Sequence, residues 1–195
     1  MRLFLSVLFL FFFVTGTATA SVHPYFAGAV GSGFMGNTDL LSSGGTFSDY
    51  ATYQQGSPKA SAIGIVSDYR RFELSYIQQL SAVDTLMNTK PASGVNLSIN
   101  SIMGNVYRDF PQKSGFLWYL MTGIGSSEVS IITSSSVLRD KVFTWQAGGG
   151  IGLKVSKHLL IDCGYRYIKP SNLTLFGVDL TYASHNVMVG SRFSF

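Results

Sequence analysis

The stretch KVFTWQAGGGIGLKVSKHLLIDCGYRYI (residues 141–168) decides the fold. Phe143, Trp145, Ala147, Ile151 and Leu153 alternate with Thr144, Gln146, Gly148, Gly150 and Gly152. The pattern breaks over residues 155–158. It resumes with Leu159, Ile161, Cys163, Tyr165 and Tyr167 against Leu160, Asp162, Gly164 and Arg166. Two period-two runs joined by a short break read as two strands and a tight turn. One face is large and apolar. The other, apart from Leu160, is small or polar.

The same period extends outward. Phe116, Trp118, Leu120, Thr122 and Ile124 alternate with Leu117, Tyr119, Met121 and Gly123, and Phe72, Leu74, Tyr76 and Leu80 with Glu73, Ser75 and Gln79. Strands are predicted near 24–36, 59–67, 71–83, 95–108, 116–127, 141–154, 159–168 and 180–195. The first two carry Gly, Ala and Ser on both faces, which leaves their parity unassigned. Long polar connections (37–58, 84–94, 128–140, 169–179) alternate with short ones (68–70, 109–115, 155–158). That is the layout of an up-and-down barrel with loops at one end and turns at the other. The expected fold class is all-β, a single eight-stranded antiparallel up-and-down transmembrane β-barrel.

Alternation also suits a soluble barrel with its apolar face inward. The second face separates the two. A soluble barrel would clothe it in Lys, Glu and Asp, whereas here it is mostly Gly, Ser, Thr, Gln and Asn, which fit a narrow filled interior. Large apolar residues then face lipid. Phe143 and Trp145 fall near the loop end, and Phe116, Trp118, Phe193 and Phe195 near the turn end. With Tyr165 and Tyr167 they form the expected lipid-facing girdles. In such barrels the loops face outside, so both mature termini are expected in the periplasm.

The first residues read as a targeting segment. Arg2 precedes the apolar run LFLSVLFLFFFV (3–14), and Ala18-Thr-Ala20 offers a cleavage site. The run is shorter than the roughly 20 residues of a spanning helix. Cleavage between Ala20 and Ser21 divides the chain into a signal peptide (1–20) and a barrel domain (21–195), exported by the general secretory route to the outer membrane of a Gram-negative cell. Formal charge is +4, but the cations are scattered, so nucleic acid is not an expected partner. Cys163 is the single cysteine, which excludes an intramolecular disulfide and a cysteine-based metal cluster.

The C-terminal HNVMVGSRFSF (185–195) places Val187, Val189, Phe193 and Phe195 on one face and ends on Phe. It resembles the terminal strand of outer-membrane proteins, and the resemblance implies that Phe195 is the signal read by the barrel-assembly machinery. Segments 105–125 (NVYRDFPQKSGFLWYLMTGIG) and 148–168 look like the opacity-protein and small outer-membrane-porin family, an outer-membrane-protein-A-like barrel. That resemblance spans nearly all of the mature chain. It implies fold and location, while family members serve as adhesins, surface antigens or proteins of unknown role. Arg108 departs from it, standing where the family commonly has a second Tyr.

The inward charges Glu73, Asp162, Arg166 and Arg192 are the candidate luminal ion pairs. Asp162 and Arg192, at similar heights on neighbouring strands, are expected to approach each other, and Glu73 is expected low on its strand near Arg108, whose own parity is left open. Buried charges are costly unless paired, so a structural plug is the first reading and a partner-swapping gate the second. No catalytic, cofactor or metal set is assigned. His23 lies beside the first strand and His158 in a turn, and Ser184 and His185, being adjacent on a strand, point to opposite faces. Gly31–Gly36 matches G-x-G-x-x-G but no helix follows, and Gly148–Gly150 lacks the Lys-Ser/Thr of a phosphate loop. The sequons at Asn96 and Asn172 are read as chance.

The first functional expectation is a surface-exposed interaction protein, an adhesin or surface antigen with a plugged lumen. Its loop 37–58 would offer Asp39, Phe47, Asp49, Tyr50, Tyr53 and Gln54 to a host or extracellular ligand. The alternatives are a structural outer-membrane protein or a narrow, low-conductance channel. Outer-membrane lipid and lipopolysaccharide are the remaining expected partners.

Overall fold

The structure is a computed structural model. It describes residues 21–36, 38–42, 45–86, 89–91, 95–133, 137–171, 173–175, 178–181 and 183–195, and within 38–51, 85–91 and 173–181 only the backbone. The expected signal peptide lies outside the described residues. Among the described residues the strands are β1 (Val22–Met35), β2 (Thr38–Ser42), β3 (Gly45–Tyr53), β4 (Lys59–Ser67), β5 (Arg70–Leu86), β6 (Thr89–Pro91), β7 (Asn96–Pro111), β8 (Phe116–Ile132), β9 (Val137–Lys154), β10 (Leu159–Pro170), β11 (Leu173–Leu175), β12 (Val178–Thr181) and β13 (Ser184–Ser194).

Eight of these close a ring. Antiparallel ladders run β1–β4–β5–β7–β8–β9–β10–β13, and β13 returns to β1, with Val30 opposite Val189. A closed ring leaves no sheet edge unpaired, the condition for a sheet to sit in lipid. The register fixes the tilt. Starting at Arg71, cross-strand partners lead through Tyr107, Met121, Gly148, Arg166, Asn186, Gly33 and Gly56. Continuing the β4–β5 register returns the path to β5 at Ser81, ten residues above its start. A stagger of that size in eight strands corresponds to a tilt of about 40°.

The wall is apolar outside and polar inside. Trp118, Ile151 and Val189 are 42, 59 and 53% exposed, while Thr144, Gln146 and Asn186 are fully buried. The parity left open in the first strands is set by ring closure. Tyr25, Ala27 and Ala29 share the luminal side, and Phe26, Val30 and Phe34 are exposed on the outer wall. On β8 the outward apolar run goes from Phe116 to Ile124 and gives way to Ser126 and Glu128. Nine residues at about 3.4 Å each, tilted by about 40°, span about 23 Å, close to the height of an outer-membrane apolar band.

Two turns are sharp. The β4–β5 connection is only Asp68 and Tyr69, and Asp68 adopts φ 53°, a conformation that Asp tolerates better than most residues. Gly115 closes the β7–β8 turn at φ 80°, where a side chain would be strained.

The long loops differ from expectation. Segments 37–58, 84–94, 128–140 and 169–179 were expected to be irregular. Instead β8 runs to Ile132 and β9 starts at Val137, with Ser130 opposite Arg139. β12 pairs with β2, β2 with β3, and β3 with the top of β5. The eighth barrel strand starts at Ser184, and 178–181 is a separate strand. Above the band the outer wall meets water, so polar composition marks a strand leaving the membrane as readily as a loop. Phe143 and Trp145 consequently lie several residues below the end of β9.

Candidate functional site

The lumen is filled in tiers. At the turn end, Asp109 on β7 holds two arginines. Arg71 donates from Nε and Nη2 to Asp109 Oδ1 at 3.0 and 2.8 Å, and Arg192 Nη1 lies 3.5 Å from Oδ2. All three side chains are buried. The Arg71 guanidinium lies 4.0 Å from the Tyr107 ring centre and 5.0 Å from that of Tyr119, and Arg192 lies 5.6 Å from that of Tyr25. Rings and carboxylate together replace the water these cations lose.

Just above, Glu73 accepts three hydrogen bonds, from Tyr25 Oη (2.9 Å), Tyr107 Oη (2.7 Å) and Asn105 Nδ2 (3.1 Å). Asn105 also donates to Ser75 at 2.8 Å and accepts from the Gln146 amide. Tyr119 Oη reaches Asp162 at 3.5 Å, and Arg166 Nη2 reaches Tyr107 Oη at 3.4 Å. A cavity of about 30 Å³ remains among these groups, enough for one or two water molecules. Three cations, Arg71, Arg166 and Arg192, face three carboxylates, Glu73, Asp109 and Asp162.

Glycines make this packing fit. A Cβ on Gly150 would stand 2.6 Å from Tyr119 Oη, and one on Gly164 would also collide with that hydroxyl. The Gly-rich run of β9 therefore makes room for a ring projecting from β8. Higher up, Ser127 bonds Ser101 (2.6 Å) and Thr144 (2.7 Å), while Ser184 donates to Gln79 (3.0 Å). The uppermost tier is apolar: Met35, Leu97, Ile99, Val129 and Val142, with Tyr53 and Ile131 packed against them.

Two sequence expectations need correction. Asp162 and Arg192 form no ion pair. Asp162 stands opposite Gly190 and Arg192 opposite Leu160, so the arginine is one inward position lower and reaches across the lumen to Asp109. Glu73 is not near Arg108 inside the barrel. Its cross-strand partner is Asn105, while Arg108 alternates with the inward Tyr107 and Asp109 and lies on the outer wall. Sequence reading missed Arg71, Asp109, Tyr25, Tyr107 and Tyr119 as members of the cluster. Extending the parity of Glu73 to Arg71, and of Asn105 to Asp109, would have found two of them.

On the outer wall, Phe116, Trp118, Phe143, Trp145, Tyr165, Phe193 and Phe195 are exposed, and Tyr167 is half-buried. Tyr167 packs 5.5 Å from Trp145 and 5.2 Å from His185. Phe195 lies 5.8 Å from Phe26 and 5.4 Å from Phe193, and its N–H donates to the Pro24 carbonyl. Ser184 points inward to Gln79 and His185 outward, where its ring bonds Tyr165 Oη at 2.6 Å. His158 meets the Ser194 carbonyl and His23 meets Ser21. Of the loop residues singled out in 37–58, Tyr53 packs on the apolar tier and Gln54 reaches Asp84. The side chains of Asp39, Phe47, Asp49 and Tyr50 lie outside the described residues.

Solved structures share this ring of strands. Neisserial surface protein A aligns with a TM-score of 0.64 at 19% identity, covering 91% of this chain and all of its own. The fold is that of a small outer-membrane barrel. OprG of Pseudomonas aeruginosa aligns at 0.59 and 14% identity (90% of this chain, 97% of that one), and the N-terminal barrel of OprF from the same organism at 0.53 and 14% (88% and 97%). In sequence, outer membrane protein PagN of Salmonella typhimurium is 24% identical over 119 residues, 50% of each chain. The chain thus spans about half the length of the curated relative it matches. No protein-family model matches. An outer-membrane barrel of Gram-negative type accounts for the lipid-compatible exterior and the polar interior together.

Proposed function

We propose that this barrel is a surface-display protein of the adhesin or surface-antigen class, with its lumen serving as a structural plug. One observation carries the reading. The first and fourth loops are joined above the membrane into a continuous sheet, β11–β12–β2–β3, that runs onto the top of β5. A barrel whose only task was to span lipid would not need paired strands standing above it. Loops fixed on a rigid scaffold are where binding residues usually sit. PagN, an outer membrane protein, and Neisserial surface protein A, a surface protein, are relatives in keeping with this role.

The plug supports display over transport. Glu73, Asp162, Arg166 and Arg192 are read as members of a charge-balanced cluster that specifies the barrel interior, and the apolar tier seals its upper end. The exposed rings are read as lipid and lipopolysaccharide contacts, and Phe195 as the signal for the barrel-assembly machinery. Catalysis is not part of the proposal, because Ser184 and His185 face opposite sides of the wall.

The test is a binding screen on cells that display the full protein, against host cells and extracellular-matrix proteins, beside a variant lacking residues 39–51. Binding by wild type and its loss in the variant, with equal surface levels and unchanged heat-modifiability in gels, is expected. Binding that survives the deletion removes this sheet from the role.

A further inference from the structure

Arg166 Nη1, Gln146 Oε1, Asn186 Nδ2, Gln79 Nε2 and Ser81 Oγ are buried in the lumen and meet no hydrogen-bond partner among the described residues. They are not scattered. Arg166 stands opposite Asn186, Asn186 opposite Gly33, and Gly33 opposite Gly56. This is the row that climbs the wall to Ser81. A Cβ on Gly33 would collide with Asn186 Oδ1 and Gln79 Nε2, and one on Gly56 with Ser81 Oγ. Asn186, Gln79 and Ser81 therefore gather over one pair of glycines. Ser184 Oγ sits 3.0 Å from Gln79 Oε1 and 3.2 Å from Asn186 Oδ1, which leaves the two amide nitrogens over. Elsewhere at this height the lumen is self-contained. Ser101, Ser127 and Thr144 bond to one another, and Ile77, Met103 and Ile168 pack as an apolar cluster.

Two cavities lie along the row. The lower, about 30 Å³, is lined by Arg166, Asp162 and Glu73, and Asp162 accepts one long bond from Tyr119. The upper, about 10 Å³, is lined by Gln79 and Ser184. Arg192 lines both the lower cavity and the wide mouth at the turn end. Buried polar atoms in native proteins are satisfied by protein or by ordered water, and a polar cavity of about 10–15 Å³ holds one water. Arg166, Asn186 and Gln79 offer N–H donors, Gln146 a carbonyl oxygen, and Ser81 either. A ligand that both donates and accepts meets all of them, and water is small enough to do so.

We propose that the lumen holds a blind shaft of ordered water. It fills from the turn-end mouth past Arg192, follows Arg166, Asn186 and Gln79 to Ser81, and stops at the apolar tier of Met35, Leu97 and Val129. The inference concerns the lumen and stands apart from the display reading.

The test is nuclear magnetic resonance of the full, isotope-labelled barrel in lipid nanodiscs. Magnetisation transfer from water is read at the side-chain amides of Asn186, Gln79 and Gln146. Cross-peaks are expected at all three, and none at the methyls of Met103 and Val129, which pack in the apolar clusters. After transfer to deuterated water, the Asn186 and Gln79 amides of R192A should exchange faster than those of wild type by about ten-fold, the weight of one charge-assisted hydrogen bond. V142A, which thins the apolar tier, should leave that exchange unchanged. Heat-modifiability in gels checks folding of both variants. Amides silent to water in the wild type overturn the shaft, and so does transfer of equal strength to the Met103 and Val129 methyls. Exchange unchanged in R192A, or quickened in V142A, overturns filling past Arg192.

Discussion

Asp109 holds two buried arginines with one carboxylate. Removing it leaves both cations without their acid in a confined lumen, and breaking a buried pair in this way typically costs about 3–5 kcal/mol. Asp109→Ala is therefore expected to lower stability by that amount, measured by urea titration of the protein in lipid vesicles. Asp109→Asn, which keeps acceptor oxygen toward Arg71, should lose less. Equal stability of wild type and D109A would show that the cluster does not hold the barrel together. The cluster was half legible in the sequence. The alternation of β5 and β10 shows Glu73, Asp162 and Arg166 sharing the small, polar face. Asp109 was hidden because DFPQKSG (109–115) reads as a turn, and β7 runs into that stretch as far as Pro111.

Each strand has two kinds of outward position, one in lipid and one above it. Val189 lies within the apolar band beside Val30 and Cys163, whereas Ser126 lies above Ile124, where β8 turns polar. An arginine near the bilayer midplane costs about 2–4 kcal/mol and near the interface about 0–1 kcal/mol. Val189→Arg should therefore destabilise the barrel far more than Ser126→Arg, in the same urea titration. Similar costs at the two positions would move the membrane boundary. Glu128 meets Lys141 at 3.9 Å and Arg139 at 4.0 Å beyond this boundary, and such exposed pairs add little. The strand extensions there went unread because water on the outer wall removes the large-apolar signal that marks strands within lipid.

For the whole molecule, the ring and its filling make separate predictions. Cys163 is exposed on the outer wall between Ile151 and Val189. In reconstituted vesicles a charged, water-soluble thiol reagent should leave it unmodified, and unfolding in detergent-free urea should expose it to full labelling by mass spectrometry. Rapid labelling of the folded barrel would place this face in water. The filling predicts closure. A cavity of about 600 Å³ opens from the turn end and stops at Asp109 and Arg192, and the apolar tier lies far above. Planar-bilayer recordings should show no steps large enough for sugars, in wild type or in Arg192→Ala, where Arg71 still pairs with Asp109. Steady conductance in either would mean that the tiers do not seal.

Residue order alone determined the strand class, the short turns and the face that β5, β8, β9, β10 and β13 show to lipid, because period two is a local property of the backbone and needs no partner. It also isolated Glu73, Asp162, Arg166 and Arg192 as inward charges. Tertiary structure alone decided which groups meet. Asp109 joins Arg71 and Arg192, and Glu73 joins Tyr25 and Tyr107, because these contacts depend on the stagger of a closed ring. The same closure set the parity of β1 and β4, whose small side chains carry no preference of their own and take the side that Tyr25 and Phe26 leave them.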